Sequence, residues 1–247
     1  LSALIVVFLI SSIISAHAVV KAGAKCTKAG ATASVGGKKY TCIKSGKKLL
    51  WSKGVPVKLA VPTATPIPSN IIVAAGGVNV LSYSYDGGDN WTNSSNGATF
   101  ITQPAFTVAT DGNMFVAGGT AGGGNSNYLL WSYDGDTWSG STNGNTMFNS
   151  QVRGIAYGGD KWVAVGISSG AAKIAYSYDG ITWSGATNSN TIFSLQSYCV
   201  TWTGTKWVAG GIGTNQLATS TDGDTWSVTT NGNTVMNNRV LALAAKY

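Results

Sequence analysis

Glutamate is absent from this chain of 247 residues, and its nine acidic residues are all aspartates. Charged residues make up only 10% of the sequence, whereas the surface helices of soluble proteins usually draw heavily on Glu and Lys. Glycine is frequent instead, with 33 residues, and Trp, Tyr and Phe together account for 10%. Because this mixture favours short strands and tight turns over helices, the composition predicts an all-β protein.

Histidine is nearly absent as well, since His17 is the only one. It follows an apolar run over residues 1–14 and lies in Ala16-His17-Ala18, a small-x-small sequence typical of a signal peptidase site. We predict that residues 1–18 are an export signal. An uncleaved anchor is the alternative, because no Met or basic segment precedes the run. Cleavage after Ala18 would leave no histidine, which excludes Ser-His-Asp and Cys-His catalytic sites and disfavours zinc. No cofactor or metal is therefore predicted.

Acidic residues are missing altogether from residues 21–58, which carry ten lysines, whereas the rest of the chain has six basic residues against nine aspartates. Cys26 and Cys42 lie within this stretch, and in an exported chain so close a pair is most simply a disulfide that stabilises a small domain. We predict a basic module over residues 19–55, built from a hairpin and a third short strand, and then a Pro/Thr-rich linker over residues 56–70. The module resembles small Cys-pair modules of exported actinobacterial proteins, a resemblance that implies no particular function.

The lysines of this module, together with Tyr40 and Trp51, could bind an anionic cell-wall polymer or the anionic surface of a membrane. A solvated, soluble cap is the alternative. Nucleic acid is a less expected partner outside a cell, although charge alone does not exclude it.

From residue 71 onward the sequence repeats four times, and each copy contains a segment that runs from a Ser through Asp and Gly to a Trp. We call these segments box turns. They are Ser84–Trp91, Ser132–Trp138, Ser177–Trp183 and Ser220–Trp226, with the aspartates Asp86, Asp134, Asp179 and Asp222. Successive tryptophans are 47, 45 and 43 residues apart. This spacing fits one four-stranded blade per repeat.

The box turns resemble the motif S-x-D-x-G-x-T-W of the Asp-box, or BNR-repeat, family of sialidase-like β-propellers. The first copy keeps the residue between Asp and Gly, and the other three lack it. The resemblance covers residues 71–247 and implies a β-propeller whose box residues are scaffold. The physical chemistry agrees, because Ser and Asp can bond the main chain of a turn, Gly supplies a positive φ, and Trp anchors the returning strand.

Further strands are predicted around each box turn. They cover residues 105–110, 114–118, 128–133 and from 137 in blade two; 152–157, 161–166, 173–178 and from 182 in blade three; and 197–202, 206–210, 216–221 and from 225 in blade four. Blade one begins at residues 71–76, which align with the second strand of the others. Its innermost strand is therefore missing, and residues 239–247 align with that strand. We predict a monomeric four-bladed β-propeller closed by its C-terminal strand, with a fragment of a longer propeller as the alternative.

The catalytic residues that the resemblance would imply do not carry over to this chain. Sialidases use an arginine triad, a Tyr/Glu pair and a further acid, whereas this chain has only Arg153 and Arg239 and no glutamate. A generic glycosidase needs two carboxylates that face one bond, and all nine aspartates can be assigned to turns. Cys199, on an innermost strand, is expected to be a buried small hydrophobe rather than a nucleophile. We predict that the protein is not an enzyme, with a divergent glycosidase as the alternative.

Asparagines recur in the connection from each box turn to the next blade, which is expected on the face opposite the box turns. Five residues after each tryptophan lie Asn96, Asn143, Asn188 and Asn231, and seven residues after it, in three blades, lie Asn145, Asn190 and Asn233. Thr99, Thr146, Thr191 and Thr234 follow at eight residues. Asn amides both donate and accept hydrogen bonds, as sugar hydroxyls require, so a ring of them could hold a glycan. The alternative is that the Asn-Gly and Asn-Ser steps only shape turns.

A second candidate site lies near the propeller axis, where the innermost strands begin. Its residues are Gln151, Arg153, Gln196, Tyr198 and Arg239. A polar central mouth with an aromatic neighbour is the usual small-ligand site of such a fold. We therefore predict an exported bacterial protein, secreted or at the cell surface, that binds a glycan or a surface protein without catalysis. A purely structural or adhesive surface protein is the alternative.

Overall fold

The computed structural model describes residues 20–35, 38–56, 70–77, 81–121, 127–169 and 172–247. The predicted export signal and nearly all of the predicted linker lie outside these ranges. The chain divides into two compact units, Leu1–Ala33 with Tyr40–Gly54 and Ser34–Lys39 with Val55–Tyr247. The domain boundaries drawn from the sequence stay predictions. Within the described ranges, no helix is both long and apolar enough to cross a membrane.

The basic N-terminal stretch forms a small antiparallel sheet. Its strands are β1 (Thr32–Val35), β2 (Lys38–Ser45), β3 (Lys48–Trp51) and β4 (Val55–Pro56), with β2 paired to β3 and β4. A disulfide joins Cys26 to Cys42 with a Cα–Cα distance of 5.9 Å, and Cys42 is buried. The predicted disulfide is thereby confirmed. It indicates folding in an oxidising, extracytoplasmic environment.

Residues 72–228 form four successive antiparallel sheets. Blade one contains β5 (Ile72–Ala75), β6 (Leu81–Ser84) and β7 (Thr92–Asn93); blade two β8 (Ala105–Thr110), β9 (Phe115–Gly119), β10 (Leu129–Ser132) and β11 (Ser139–Gly140); blade three β12 (Gln151–Gly158), β13 (Lys161–Ile167), β14 (Ile174–Ser177) and β15 (Ser184–Gly185); and blade four β16 (Gln196–Trp202), β17 (Trp207–Ile212), β18 (Leu217–Ser220) and β19 (Ser227–Val228). Strands pair in chain order within each sheet, and the innermost strands of blades two to four pack side by side. The chain is all-β with a propeller-like arrangement of its sheets, as predicted.

Single helical turns, which the sequence analysis did not predict, lie between the sheets. They are α1 (Gly97–Phe100), α2 (Gly144–Met147), α3 (Ser189–Ile192) and α4 (Gly232–Val235). Each begins directly after the asparagine that lies five residues beyond a box tryptophan. In every copy the Thr hydroxyl three residues later donates to the carbonyl of that asparagine at 2.7–2.9 Å. The repeated Asn and Thr thus have a structural use in starting these turns.

The C-terminal residues 239–247 do not form the closing strand of blade one in this structure. No strand is assigned to them, and Val240 donates its main-chain N–H to the carbonyl of Gly211 in blade four (3.1 Å). In the described part of the chain, no strand pairing joins this segment to β5. Residues 72–228 therefore form three four-stranded sheets and one three-stranded sheet, and the predicted closed four-bladed ring is not observed in the described part of the chain.

Each box turn is held by a serine and an aspartate that bond the main chain. In blade three the Ser177 hydroxyl donates to Asp179 Oδ1 (2.8 Å) and accepts the N–H of Gly180 (2.9 Å). The same Asp179 oxygen accepts the N–H groups of Ile181 and Thr182, at 2.9 and 2.7 Å. Trp183 Nε1 donates to the carbonyl of Gly180 (3.2 Å). The set recurs in blades two and four. In blade one, Asp86 accepts the main-chain N–H of Asn90 and, in place of a second main-chain N–H, the side-chain amide of Asn90.

Glycine is required in these turns. Gly180 has φ +71°, and a Cβ there would lie 3.0 Å from Met114 Cε of the preceding blade. A larger residue would therefore be strained in its backbone and would collide with the neighbouring sheet.

The donors around the box carboxylates favour the charged form. Burial alone would raise the pKa of Asp222, but the N–H groups of Thr225 and Asp224 and the Ser220 hydroxyl outweigh burial and lower that pKa. At exposed Asp86, hydrogen bonds from Asn90 and Ser84 hold the pKa well below its usual value. Asp86 and Asp222 are therefore hydrogen-bond acceptors of the scaffold in their charged form.

The apolar core consists of three clusters, each lying between two successive blades. The tryptophan of a box turn fills the space between its own blade and the preceding one. Trp138, Trp183 and Trp226 are only 1–2% exposed in this position, whereas Trp91 of blade one is 47% exposed. Burying rings of this size between sheets is the main apolar contribution to the array.

Replacing Asp179 with Asn tests the box turn. The amide keeps the shape of the carboxylate but loses its charge, and charge-assisted hydrogen bonds to main-chain N–H groups are the stronger kind. We expect a loss of about 2 kcal/mol in the free energy of unfolding, measured by denaturant or thermal unfolding. The control is Asp160→Asn, at an exposed position with φ +58° that Asn tolerates. Equal destabilisation by both variants would contradict the structural role of the box carboxylate.

Candidate functional site

The innermost strands carry a β-bulge at the same position in three successive blades. The register of the strand pairs shifts between Ala105 and Thr107, between Val152 and Gly154, and between Ser197 and Cys199. The residues left unpaired are therefore Phe106, Arg153 and Tyr198. Bulges re-aim the side chain of the extra residue and are common beside binding sites. Two of the three, Arg153 and Tyr198, are residues that the sequence placed in the central mouth.

Two of the three bulged side chains, Arg153 and Tyr198, contact the glutamine two residues before them. Arg153 Nε donates to Gln151 Oε1 (2.6 Å), and the Arg153 guanidinium lies 4.0 Å from the centre of the Phe106 ring. In blade four the Tyr198 hydroxyl donates to Gln196 Oε1 in the same way. The structure thus brings Gln151 together with Arg153, and Gln196 together with Tyr198. No hydrogen bond within the described ranges joins Arg239 to either pair.

A cleft of about 610 Å³ opens where the innermost strands of blades three and four begin. Its walls come from the segments that precede those strands and from the loops that follow the second strands. The lining residues are Asn149, Ser150, Ile167, Ser168, Ser169, Lys173, Ser194, Leu195, Gln196, Tyr198 and Ile212. Of the five residues predicted for the central mouth, Gln196 and Tyr198 line this cleft. Its volume is within the usual range for small-ligand sites.

The lining of the cleft combines hydroxyls, amides, one phenol and one ammonium group. Lys173 is buried, and its Nζ lies 3.5 Å from Asn190 Oδ1. Asn149 Oδ1 accepts the N–H of Ser169 (3.0 Å) and the hydroxyl of Ser168 (3.2 Å). Apolar contact comes from Ile167, Leu195 and Ile212, and Leu195 is 59% exposed at the rim. Such a surface offers both donors and acceptors to a polyhydroxylated ligand.

The sequence analysis missed Phe106, Lys173 and Asn149. Phe106 and Lys173 lie on or beside predicted strands, where an aromatic or a lysine is ordinary. Phe106 aligns with Arg153 and Tyr198 across the repeats, and this alignment could have marked it as a candidate. The bulge that sets these three positions apart depends on strand pairing and is not visible in the sequence.

Two of the four asparagines five residues after the box tryptophans, Asn96 and Asn188, bond to the next blade rather than lie on an open face. Asn188 Oδ1 accepts the main-chain N–H of Trp226 (3.0 Å), and its Nδ2 donates to the Trp226 carbonyl (2.7 Å). Asn96 makes the same pair of bonds with Trp138, at 2.7 and 3.0 Å. These two asparagines therefore lie beside a box turn of the next blade, whereas the sequence placed them on the face opposite the box turns.

The asparagines at the seventh position bond to their own blade. Asn145 Oδ1 accepts the N–H of Tyr128 (3.1 Å), and Asn233 Oδ1 accepts the N–H of Gln216 (2.9 Å). Asn190 lies beside Lys173, and Asn143 is exposed in a left-handed conformation with φ +63°. Asn231 is exposed. A ligand would have to compete with main-chain partners at several of these amides, and their binding role stays a prediction.

Two further side chains that could have a chemical role, Cys199 and Lys161, are buried. Burial raises the pKa of the Cys199 thiol to about 11, and the Cys199 Sγ lies 3.6 Å from the Val240 carbonyl oxygen. Burial lowers the pKa of Lys161 to about 8, and its ammonium group donates to the carbonyl of Asp222 beside the ring of Tyr176. No group of three or more His, Cys, Asp or Glu side chains that could hold a metal occurs in the described ranges.

Replacing Asn188 with Ala tests the bonds between blades three and four. The substitution leaves the N–H and carbonyl of Trp226 without partners in an interface where this tryptophan is 2% exposed. We expect a loss of about 1–3 kcal/mol in the free energy of unfolding, measured by thermal and denaturant unfolding. The matched control is Asn237→Ala, an exposed position for which no change is expected. An unchanged stability of the Asn188 variant would show that water replaces the amide without cost.

No protein-family model matches the chain, and no curated protein sequence matches it significantly. Similar solved structures include YCF48 bound to a D1 peptide, with a TM-score of 0.44 and 16% identity over 80% of this chain and 62% of that chain. They also include the GH74 enzyme of Niastella koreensis (TM-score 0.43, 18% identity, 81% of this chain and 30% of that chain) and the computationally designed Ika8 protein (TM-score 0.43, 13% identity, 80% and 59%). The chain spans less than two thirds of each of these three proteins. They are similarities of fold alone.

Proposed function

We propose that this chain is an exported, cell-surface protein that binds a carbohydrate, without catalysis, in the cleft at the start of β12 and β16. The observation that carries the proposal is the lining of that cleft. Its described residues supply hydroxyl and amide groups, the buried ammonium of Lys173 and the phenol of Tyr198. Sugars are bound by groups of this kind, because their hydroxyls both donate and accept.

Tyr198 has a central place in this proposal. Tyr198 is the extra residue of the bulge in β16, so it is not paired with a residue of β17. Its hydroxyl donates to Gln196 Oε1, and this bond orients it. A half-buried aromatic ring held in this way offers an apolar face to a sugar ring and a polar edge to its hydroxyls. Leu195 extends the apolar surface at the rim.

The positions of the carboxylates support a non-catalytic role. Most aspartates accept hydrogen bonds from the main chain of turns or of the neighbouring blade; these are Asp86, Asp111, Asp134, Asp136, Asp179, Asp222 and Asp224. The described lining of the cleft contains neither Asp nor Glu. Glycoside hydrolysis normally requires a pair of carboxylates across the bond to be broken. We therefore expect no turnover of glycosides.

The closed four-bladed ring and the Asp-box family membership are part of this proposal. The repeated hydrogen bonds of the box turns support the family, and the position of Val240 beside blade four supports a C-terminal segment that acts as an innermost strand. A glycan or a protein of the cell surface remains the expected partner.

Binding of the full chain to a glycan array, followed by calorimetry on the best ligand, tests the cleft. We expect the variants Lys173→Met and Tyr198→Ala to weaken binding about tenfold or more, since loss of a central contact costs at least 1.4 kcal/mol. The matched control is Lys206→Met, at an exposed lysine outside the cleft, which should bind normally.

Two results would contradict this proposal. One is equal binding by the two cleft variants and the wild type. The other is a loss of binding in Asn143→Ala, Asn188→Ala or Asn231→Ala with a folded chain, which would move the ligand to the asparagine ring. Turnover of fluorogenic glycosides would replace the binding function with an enzymatic one.

We further propose that the N-terminal sheet binds an anionic cell-wall polymer. Eight lysines of this region have exposed side chains: Lys21, Lys25, Lys28, Lys39, Lys44, Lys47, Lys48 and Lys53. No acidic residue lies among them in the sequence. A surface with one sign of charge attracts polyanions, and each lysine close to an anionic surface contributes about 1 kcal/mol.

Sedimentation of the full chain with purified anionic cell wall tests this second proposal. The triple variant Lys44→Gln, Lys47→Gln, Lys48→Gln should bind at least tenfold more weakly, and the wild-type binding should fall as salt is raised. The control is Lys206→Gln, Lys246→Gln, which removes exposed lysines elsewhere in the chain. Binding that is independent of both salt and the three lysines would exclude an electrostatic anchor.

A further inference from the structure

One lysine of the cleft is buried without the partners that a buried charge usually has. Lys173 is 8% exposed, and it lines the cleft at the start of β12 and β16. Its ammonium group has one acceptor, Asn190 Oδ1, at 3.5 Å, which is longer than an ordinary hydrogen bond. In the described part of the chain its other N–H groups have no acceptor, and no carboxylate forms an ion pair with it. Because an ammonium group is costly to remove from water unless it is paired, this site favours an anionic partner.

Lys161 shows how the same fold accommodates a buried lysine that belongs to the scaffold. It is 6% exposed, and its ammonium group donates to the main-chain carbonyl of Asp222 in the next blade. The same ammonium group lies 4.8 Å from the centre of the Tyr176 ring. Among the described residues, Lys173 has neither a carbonyl acceptor nor an aromatic ring of this kind. The two buried lysines therefore differ in how far the protein itself satisfies them.

The repeats show that the scaffold does not need a lysine at position 173. The main-chain carbonyl of Lys173 accepts the N–H of Gly166 at 3.0 Å. In blades two and four, the carbonyls of Tyr128 and Gln216 accept the corresponding glycine N–H at 3.2 and 3.0 Å. The main chain thus has the same role in all three blades, whereas the side chain is a phenol, an ammonium group or an amide. The ammonium group is therefore particular to this cleft rather than a part of the repeat.

The groups around the ammonium can complete the binding of an oxyanion. The described lining contains four serines and the phenol of Tyr198, but neither Asp nor Glu. Asn149 Nδ2 donates to Ser169 Oγ (3.1 Å), and Asn149 Oδ1 accepts the hydroxyl of Ser168, so that the amide links two of these serines. Hydroxyl groups can donate to an oxyanion, and a cleft lined by charge of one sign concentrates ligands of the opposite sign. The one positive charge of the lining matches a ligand group with one negative charge.

We propose that the ligand of this cleft is an acidic saccharide, and that the ammonium group of Lys173 binds its singly charged oxyanion, a carboxylate or a sulfate ester. The inference rests on the proposed carbohydrate-binding function and names the class of its ligand. The oxyanion supplies the acceptors that Lys173 lacks, through charge-assisted hydrogen bonds. A neutral saccharide would instead cover the ammonium group without a counter-charge, which costs affinity.

An array of matched oligosaccharide pairs, with calorimetry on the pair that binds best, tests this inference. Each pair consists of an oligosaccharide that contains uronic acid and its carboxyl-reduced form, or of a sulfated oligosaccharide and its unsulfated form. All chains are full length and carry Lys44→Gln, Lys47→Gln and Lys48→Gln, so that the basic N-terminal sheet contributes little to the binding of anions. We expect the acidic member of a pair to bind about tenfold or more tightly than the neutral member. The type of pair that shows this preference identifies the carboxylate or the sulfate as the recognised group.

Substitutions at Lys173 assign the preference to this side chain. Lys173→Met removes the charge and should make the two members of a pair bind equally. Lys173→Arg keeps the charge and should retain a preference of several fold, because a guanidinium group also binds oxyanions. The control is Lys206→Met, at an exposed lysine outside the cleft, which should leave the preference unchanged.

Three outcomes would overturn the inference, and they can be told apart. Equal binding of the acidic and neutral members by the chain with Lys173 would contradict it while leaving carbohydrate binding intact. A preference that survives Lys173→Met would place the recognised anion at another position. Absence of binding to every oligosaccharide would refute the proposed function as well.

Thermal unfolding without ligand separates a lysine that binds a ligand from one that supports the scaffold. Lys173→Met removes a buried charge with little compensation, so we expect an unchanged or higher unfolding midpoint. Lys161→Met should lower the midpoint, because the carbonyl of Asp222 loses its donor. An equal decrease in both variants would assign Lys173 to the scaffold and contradict the inference.

Discussion

The array of blades depends on one hydrogen-bonding unit, the serine and aspartate of the box turn. The carboxylate accepts N–H groups of its own turn, the serine hydroxyl links it to the glycine N–H, and the glycine carbonyl receives the indole N–H of the tryptophan. This chain of bonds holds the indole ring in a fixed orientation above the turn. Because that ring then fills the space between two blades, a local turn determines a long-range contact.

The box turn also supplies the surface that the preceding blade recognises. In blade four, Asp224 accepts the N–H of Thr187, and the main chain of Trp226 both donates to and accepts from the side-chain amide of Asn188 in the preceding blade. Hydrogen bonds within the turn and hydrogen bonds between blades are therefore made by the same short segment. A blade boundary consists of an apolar ring surrounded by directional bonds, which gives both stability and a defined orientation.

The features that the sequence predicted correctly are local ones. Gly158-Gly159-Asp160 marks the turn between the first two strands of blade three, and Ser177-Tyr178-Asp179-Gly180 marks the turn between its last two strands. The strands between these two turns could therefore be assigned. The disulfide followed from the separation of Cys26 and Cys42 in an exported chain. The four helical turns were missed because a single turn of four residues leaves no periodic signal.

Contacts between blades could not be read from the sequence, because they join residues far apart in the chain. Asn96 and Trp138 are 42 positions apart, and nothing in either repeat alone shows that an amide of one bonds the main chain of the other. The asparagines were recognised as a repeat and interpreted as a ring that binds a ligand, because a repeated amide can either bind a ligand or shape a turn. The cleft depends on a bulge in β16 and on the fact that Lys173 of blade three and Gln196 of blade four line the same cleft, which are likewise properties of the folded chain rather than of local sequence.

The chemistry of the cleft is a consequence of how the fold uses its charged groups. Nine carboxylates serve a chain with four box turns, and most of them accept main-chain N–H groups in turns or at blade boundaries. The inner strands are therefore left with amides, hydroxyls, aromatic rings and a few cations, as in the pairs Gln151 with Arg153 and Gln196 with Tyr198. A surface of that composition can orient hydroxyl groups, and the described lining of the cleft contains no pair of carboxylates of the kind that glycoside hydrolysis normally uses. The use of carboxylates by the scaffold is thus the physical basis on which we propose recognition of hydroxyl groups in this cleft.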